Sequence, residues 1–375
     1  MSKIIIIYFS LMYFMIGMIH TFVGSYNNHF EKNLNMDQED VSVLISIQFT
    51  AFMIGVISSI LIKKIFLKLS FQILHFLIFF IILLFCVYEH IYTVYILIFF
   101  FGLFAGLIES SIASYVFNYK SLSIKTFSYI ESFFALGAFL LPLIVWVSSY
   151  YLEIRISIIF MLFINIISFF IVNKLSLKPN EATKYKRTSL KVKKCNIIFI
   201  ILLWCFFYIG IETNFSNLLP YMKIVSTNLN YITVSTFWIG IIIGRFLYTI
   251  LLIKYKVNLE KTLILLTVFS IILYFLLITL NFIDPIKIIL LFFLSLTFSP
   301  MFPLGASIIN NYSENKSFLT SLFIAVAGLG GTIGALIIKI ALNLNVKPFI
   351  TFFLLLLACL IFSILIKKVT DSVKK

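Results

Sequence analysis

The sequence predicts an all-α polytopic membrane protein, with twelve transmembrane helices arranged as two six-helix bundles. Three observations carry that prediction. Apolar runs of about 20 residues, each long enough to cross a hydrocarbon core roughly 30 Å thick, recur along the whole chain. The 375 residues are 62% hydrophobic and only 11% charged, with a mean hydropathy of +1.12, more apolar surface than a soluble fold can bury. A weak internal repeat also divides the chain, because Ile16-Gly17 and Leu136-Gly137 recur as Ile209-Gly210 and Leu329-Gly330 at one common spacing.

The first run, Ile4 to Asn28, follows Lys3 as a signal peptide would, but it is long and lacks a small-residue cleavage site, so it reads as a retained span. Span two, Val41 to Ile62, ends on Lys63 and Lys64, and span three, Ser70 to Tyr88, begins after Lys68. Lys120 and Lys125 separate span four, Ile91 to Asn118, from span five, Phe127 to Ser148. Span six runs from Ile156 to Val172. Span seven, Ile197 to Tyr221, and span eight, Ile232 to Ile253, precede Lys254, Lys256 and Lys261. Leu263 to Leu280, Ile286 to Asn310, Leu319 to Ile340 and Phe349 to Ile366 complete the set, with Lys367 and Lys368 beyond. Span eight echoes span two, since Ile243-Gly244 leads to Leu252-Ile253-Lys254 as Ile54-Gly55 leads to Leu61-Ile62-Lys63.

Charge then orients the spans. The formal net charge is +15, and placing both termini in the cytoplasm puts about 22 of the 29 Lys and Arg on that side, leaving loops such as Glu31 to Asp40 poor in them. Basic residues sorted by side rather than gathered on one groove-facing module argue against nucleic-acid binding. The longest polar segment, Asn173 to Asn196, carries Lys174, Lys178, Lys184, Lys186, Arg187, Lys191, Lys193 and Lys194 against Glu181 alone. It reads as a topogenic linker rather than a lipid-headgroup site. The organisation expected is therefore a bundle over 1–173, a basic cytoplasmic loop over 174–196, and a second bundle with a short basic tail over 197–375.

Ionisable groups inside spans are costly and mark function. Glu109 is the first candidate, a proton carrier in the middle of span four. It shares a helical face with Gly102, Ala105, Gly106 and Ala113, so a small-residue stripe lets another helix approach the carboxylate. A structural carboxyl tying two helices together is the competing reading. Glu131 in span five, with Ala135, Ala138 and Pro142 on its face, is a second proton site, a substrate partner, or an acid paired with Lys125.

His20 shares a face of span one with Gly17, Gly24 and Asn27, and either titrates or holds a packing contact. Glu212 sits in span seven as a gating or structural charge, with Asn214 and Asn217 roughly on the opposite face unless the helix breaks near Pro220. Arg245 in span eight needs a carboxylate, a helix C-terminus or a headgroup, and reads as a gate or inter-helix ion pair before a substrate clamp. Trp238, Gln48, Asn27, Tyr26 and Phe22 could build a sugar site, since a pyranose offers a C–H face to a ring and hydroxyls to amides. Asn214 and Asn217 join them as candidate amides.

No HExxH, Walker A, GxSxG or HxE with paired cysteines is present. Cys86, Cys195, Cys205 and Cys359 form no CxxC pair and read as small apolar residues. Enzyme chemistry, a metal and a cofactor are thus not expected, and an ion gradient is the natural energy source.

The stretches GMIHTFVGS (Gly17 to Ser25), SIQFTAFMIGV (Ser46 to Val56), AGLIESSIASYV (Ala105 to Val116), YIESFFALGAFLLPL (Tyr129 to Leu143), YIGIETNFSNLLP (Tyr208 to Pro220), FWIGIIIGR (Phe237 to Arg245) and TSLFIAVAGLGG (Thr320 to Gly331) span both halves. Through them the chain resembles the major facilitator superfamily, and within it the fucose/glucose/galactose:proton symporter group. The resemblance implies the major facilitator fold, a bacterial cell membrane location, a monomer in the lipid bilayer, and protons and a sugar as partners. It places the family's proton-coupling carboxylate on Glu109, its acidic residue of span one on His20 and a substrate-region amide on Glu131. The histidine at the span-one position is a departure that puts a two-carboxylate mechanism in doubt. The family's motif after span two is degraded here, since Gly55 is followed by apolar residues and then Lys63-Lys64. Proton-coupled uptake of a glucose- or mannose-type hexose by alternating access is the expectation. Proton-driven export of a small drug or metabolite is the alternative.

Overall fold

The computed structural model describes residues 3–62, 67–118, 124–151, 153–175, 192–226, 229–254, 258–280, 283–312 and 316–374. Among them run α1 (Lys3–Leu34), α2 (Gln38–Ile62), α3 (Leu67–Val87), α4 (Ile91–Asn118), α5 (Ile124–Tyr151), α6 (Arg155–Asn173), α7 (Val192–Met222), α8 (Asn230–Lys254), α9 (Leu259–Thr279), α10 (Asp284–Phe298), α11 (Met301–Asn310), α12 (Lys316–Asn343) and α13 (Pro348–Lys374). Eleven of the resulting helical stretches are long and apolar enough to cross a membrane, and α8 adds the shorter apolar stretch Ile232–Tyr248. The chain is a multi-pass, all-helical membrane protein.

The tenth span departs from the single helix expected over Ile286 to Asn310. It is two helices, α10 and α11, separated by Ser299 and Pro300. Pro300 and Pro303 have no N–H, so the carbonyls of Leu296 and Ser299 lose their usual donors and the ladder breaks. Beside the break, two hydrogen bonds tie the span to neighbouring helices: the Tyr208 hydroxyl donates to the Phe298 carbonyl at 2.9 Å, and Ser299 Oγ donates to the Ile241 carbonyl of α8 at 2.6 Å. Pro220, by contrast, lies inside a continuous α7. The helix α1 also runs on past Asn28 to Leu34.

Residues 176–191, which hold most of the basic linker, lie outside the described residues, as do Lys63, Lys64, Lys120 and Lys256.

Burial separates inner from outer helices. The most apolar window of α1 is 78% buried and that of α9 only 28%, so α1 is central while α9 presents Leu265, Phe269, Ile272 and Phe275 to lipid. In the first half α1 packs on α5 and α2 on α4; in the second, α7 packs on α12 and α8 on α10. The halves meet through α2 with α12, α5 with α8, α4 with α12, and α1 with α7.

Glycine makes the inner pairs close. A methyl group on Gly17 would stand 1.9 Å from the Phe134 carbonyl oxygen, and one on Gly137 would stand 1.9 Å from that of Phe14. Gly210 and Gly330, their repeats, occupy the α7–α12 contact, where Gly330 lies against the Phe206 carbonyl. Gly102 and Gly106 do the same for α4, letting the Gln48 and Phe52 carbonyls of α2 approach two turns and one turn before Glu109, respectively.

A buried polar cluster ties α1, α3 and α6 together. Asn165 Oδ1 can only accept, so the 2.6 Å contact from His75 puts the proton on Nδ1, and His75 Nε2 accepts from the Tyr8 hydroxyl at 3.1 Å. Asn165 Nδ2 closes the loop by donating to the His75 carbonyl at 2.9 Å.

Candidate substrate and proton site

Between the halves lies a cavity of about 50 Å³, lined from the first half by Tyr13, His20, Phe49, Phe52, Glu109, Glu131 and Phe134. The second half contributes Ile209, Glu212, Thr213, Trp238, Arg245, Phe302, Ala327 and Gly328. The chemical groups arrive from five helices: the imidazole from α1, carboxyls from α4, α5 and α7, the indole and guanidinium from α8. Such a volume holds a few waters.

Helix–helix hydrogen bonds flank it toward both faces. Toward the face carrying the termini, Ser59 Oγ donates to Ser110 at 2.7 Å, and Ser110 and Ser114 of α4 reach Ser321 of α12 at 3.3 and 3.0 Å. Toward the other face, Asn217 of α7 bonds to α1 through Gly24 N at 3.1 Å and the His20 carbonyl at 3.1 Å. Farther out, the Asn343 amide donates to the Glu39 carboxylate at 2.5 and 2.9 Å.

Six of the residues singled out from the sequence line this cavity together: Glu109, Glu131, His20, Glu212, Arg245 and Trp238. Arg245 Nη1 donates to the Glu131 carbonyl at 2.9 Å, and its guanidinium lies 5.9 Å from the Phe134 ring centroid, an α8–α5 link across the halves. The Phe134 ring centre is also 4.9 Å from that of His20 and 5.5 Å from that of Trp238. Phe49 and Phe52 complete an edge-on aromatic cage for the imidazole at 5.2 and 5.6 Å.

The other candidates stand elsewhere. Gln48 Nε2 donates to the Ile19 carbonyl at 2.7 Å, and Asn214 Nδ2 donates to the Gly331 carbonyl at 3.0 Å, so both amides link helices outside the lining. Asn217 is the α1–α7 link already described. Asn27 is 1% exposed and away from the cavity. Tyr26 and Phe22 stack on each other at 4.4 Å, and the Tyr26 hydroxyl donates to the Ile154 carbonyl at 3.2 Å, which makes them packing of the first half.

Tyr13, Thr213 and Phe302 are cavity residues that sequence reasoning missed. Tyr13 lies one and two turns before Gly17 and His20 on the face already identified, a signal present in the sequence. Phe302 carried no such signal, because the break at Pro300 aims it. Tyr13 Oη, His20 Nδ1, Glu131 Oε2 and Trp238 Nε1 are buried polar atoms with no hydrogen-bond partner in the protein. Four such atoms around one cavity are what a polar guest would satisfy.

The Major Facilitator Superfamily profile matches residues 9–335, most of the chain. The chain belongs to the Major Facilitator Superfamily. It is a transporter and not an enzyme. The glucose/mannose transporter GlcP of Bacillus subtilis (strain 168) is 31% identical over 359 residues, covering 88% of this chain and 86% of that protein. Among solved structures, a variant of the E. coli fucose:proton symporter FucP superposes with a TM-score of 0.66 at 16% identity, over 97% of this chain and 98% of that one. A variant of the nucleoside transporter NupG superposes with a TM-score of 0.71 at 12% identity, over 97% and 99%. At those identities the two structures establish the shared superfamily fold. The two-bundle major facilitator architecture, with both halves contributing to a central cavity, is thus the fold of this protein.

Proposed function

We propose that this superfamily member carries a hexose of the glucose or mannose type into a bacterial cell together with protons, both termini facing the cytoplasm. The observation that carries the reading is one cavity between the halves lined by three carboxyls, one guanidinium and an indole. One positive charge cannot balance three negative ones, and a closed low-dielectric cavity does not hold the difference. Two protons on the carboxyls make it neutral. Protonation is therefore a condition for occlusion, which is what couples proton movement to the turnover of the halves.

Each residue then has a part. With the seal through Asn217 and Asn343 open, a sugar enters from outside, lays its C–H face on Trp238 and offers hydroxyls to Tyr13, His20 and Glu131. With a second carboxyl already protonated, Glu109 takes the proton that makes the cavity neutral, the outer seal forms, and the serine contacts among α2, α4 and α12 part. Loss of the proton to the cytoplasm restores the charge, and the sugar leaves. The identity to the glucose/mannose transporter supports the hexose, and the neutralisation requirement supports the proton.

The test is Glu109→Gln in proteoliposomes. Sugar counterflow, which needs no net proton movement, should persist, while accumulation driven by an imposed pH gradient should be lost. Loss of both or retention of both contradicts the role of Glu109. Indifference of the wild-type protein to glucose, with cation-dependent proton release, would instead establish the export alternative.

A further inference from the structure

The cavity holds more acid than a neutral sugar needs. Glu109, Glu131 and Glu212 reach it from α4, α5 and α7, so no two of them share a helix. Among the described residues none of the three forms an ion pair, and Arg245 gives its Nη1 to the Glu131 backbone carbonyl at 2.9 Å rather than to a carboxyl. Glu131 is only 4% exposed, and its Oε2 is a buried atom with no hydrogen-bond partner in the protein. A carboxylate oxygen left in that state is costly, and the strongest partner for it is a charged N–H donor.

The rings around the same space favour a cation as well. Tyr13, Phe134 and Trp238 line the cavity, and the Arg245 guanidinium already lies 5.9 Å from the Phe134 centroid. Ring faces attract positive charge, so an ammonium here would meet a carboxylate and aromatic rings together, the setting that recognises an amine. The remaining unpartnered atoms narrow the guest further. Trp238 Nε1 has no partner and can only donate. An ammonium also only donates, so it cannot satisfy the indole. A guest that satisfies both brings an ammonium for Glu131 and an oxygen for Trp238, with hydroxyls for Tyr13 Oη and His20 Nδ1, which are also without partners. A hydroxylated ring bearing one amine has that set. A bare alkylammonium lacks the acceptors, and a neutral hexose lacks the cation.

We propose that the cavity also accepts an amino hexose, carried as its ammonium, and that this charge takes the place of one coupled proton. The proposal deepens the uptake reading above and rests on it. Its logic is a count of charge, with the phenol of Tyr13 and the ring-caged imidazole of His20 neutral. Against three carboxyls and one guanidinium, a neutral hexose is occluded only when two carboxyls are protonated. An ammonium supplies one of those two positive charges, so the cavity is neutral with a single carboxyl protonated. Glu109 then stays ionised where it would have taken a proton. No bond is made or broken, since the amine keeps its proton from one side of the membrane to the other. Each amino hexose therefore enters with one proton fewer than a glucose, and the total positive charge crossing per sugar is the same for both.

The test uses the full chain in proteoliposomes with glucosamine as the probe, at about pH 6, where an amine of this kind is protonated. In counterflow, glucosamine should compete with labelled glucose at a half-inhibiting concentration within about tenfold of that of unlabelled glucose, and methylammonium should need at least about a hundredfold more. The deciding readout is stoichiometry, with sugar-induced current and sugar-induced proton movement recorded on the same vesicles. Charge per sugar should be equal for glucose and glucosamine, while protons per sugar should be lower by one for glucosamine. Glu131→Gln should weaken glucosamine at least about tenfold more than it weakens glucose, a split that a merely structural role would not produce. Failure of glucosamine to compete, equal proton counts for the two sugars, or an equal loss of both in Glu131→Gln each overturns the proposal. Glucose that moves no proton in the wild type overturns the uptake reading instead.

Discussion

The side chain of Asn217 accepts a hydrogen bond from the backbone N–H of Gly24 at 3.1 Å across 193 residues, the spacing that also relates Gly17 to Gly210 and Gly137 to Gly330. Asn217 is thus the repeat counterpart of the residue it touches. Two equivalent positions touch only where the axis relating the halves passes between them, so α1 and α7 cross on that axis. The amide also donates to the His20 carbonyl at 3.1 Å, bridging two partners of a single α1 turn. Any β-carbon on Gly24 would stand 2.8 Å from Asn217 Cα, which is why one counterpart is glycine and the other the amide.

Replacing Asn217 by Val should therefore loosen the outer seal. Loss of an inter-half bridge of this type costs about 0.5–1.5 kcal/mol, because the His20 carbonyl and Gly24 N–H still pair with each other in the α1 ladder. The check is a thermal melt of purified protein. A cysteine at Asn28 should also label faster from outside in the variant, and unchanged labelling would remove Asn217 from the seal.

The glycine contacts predict an order of tolerance. Gly17→Ala forces a methyl group to within 1.9 Å of a backbone oxygen, whereas Gly210→Ala meets its nearest atom, the Gly330 oxygen, at 3.1 Å. The first should destabilise by about 2 kcal/mol or more, in the range of overpacked cores, and the second by under about 1 kcal/mol. Melting temperatures measured side by side decide it, and the reverse order would contradict the geometry.

Arg245 is the one cation among the described cavity residues, set against three carboxyls. Arg245→Leu should destabilise the protein by about 3–5 kcal/mol, since it strands buried negative charge. Adding Glu131→Gln to the same protein should recover at least about half of that loss. Failure of the second substitution to help would show that charge balance is not what Arg245 supplies.

Outside the spans, Glu89 in the α3–α4 connection is hydrogen-bonded to His29 at the end of α1. That bond, ahead of the opposing cost of burial, holds the Glu89 carboxyl below its usual range. A depressed acid stabilises the fold above the unfolded carboxylate range, near pH 4, and loses that contribution as pH falls through its own lower value. The pair is partly exposed, so Glu89→Gln should cost only about 0.5–1 kcal/mol at pH 7. The gap to wild type should narrow toward pH 3. Parallel melts over that interval test it, and a gap that widens with acid would reverse the sign.

Much of this protein was legible from residue order alone. Hydropathy set the number of spans, because a backbone in lipid must satisfy its own hydrogen bonds and only a long apolar helix does so. The cost of a charge in hydrocarbon likewise singled out Glu109, Glu131, Glu212 and Arg245, and all four line the cavity.

What residue order did not decide was which polar groups face the cavity and which face a neighbouring helix. Gln48, Asn214 and Asn217 look like ligands in a sequence, but an amide satisfies a buried carbonyl as well as a sugar hydroxyl, and only the packing of α1, α7 and α12 chose the former. The break between α10 and α11 was equally hidden. Proline inside a span can be carried, as in α7, or can divide it, as at Pro300, where Tyr208 and Ile241 of neighbouring helices bond the residues beside the break. Local chemistry determined the helices and their charges. The pairing of the halves determined where each charge and each amide points, because those partners lie far apart in the chain and meet only after it folds.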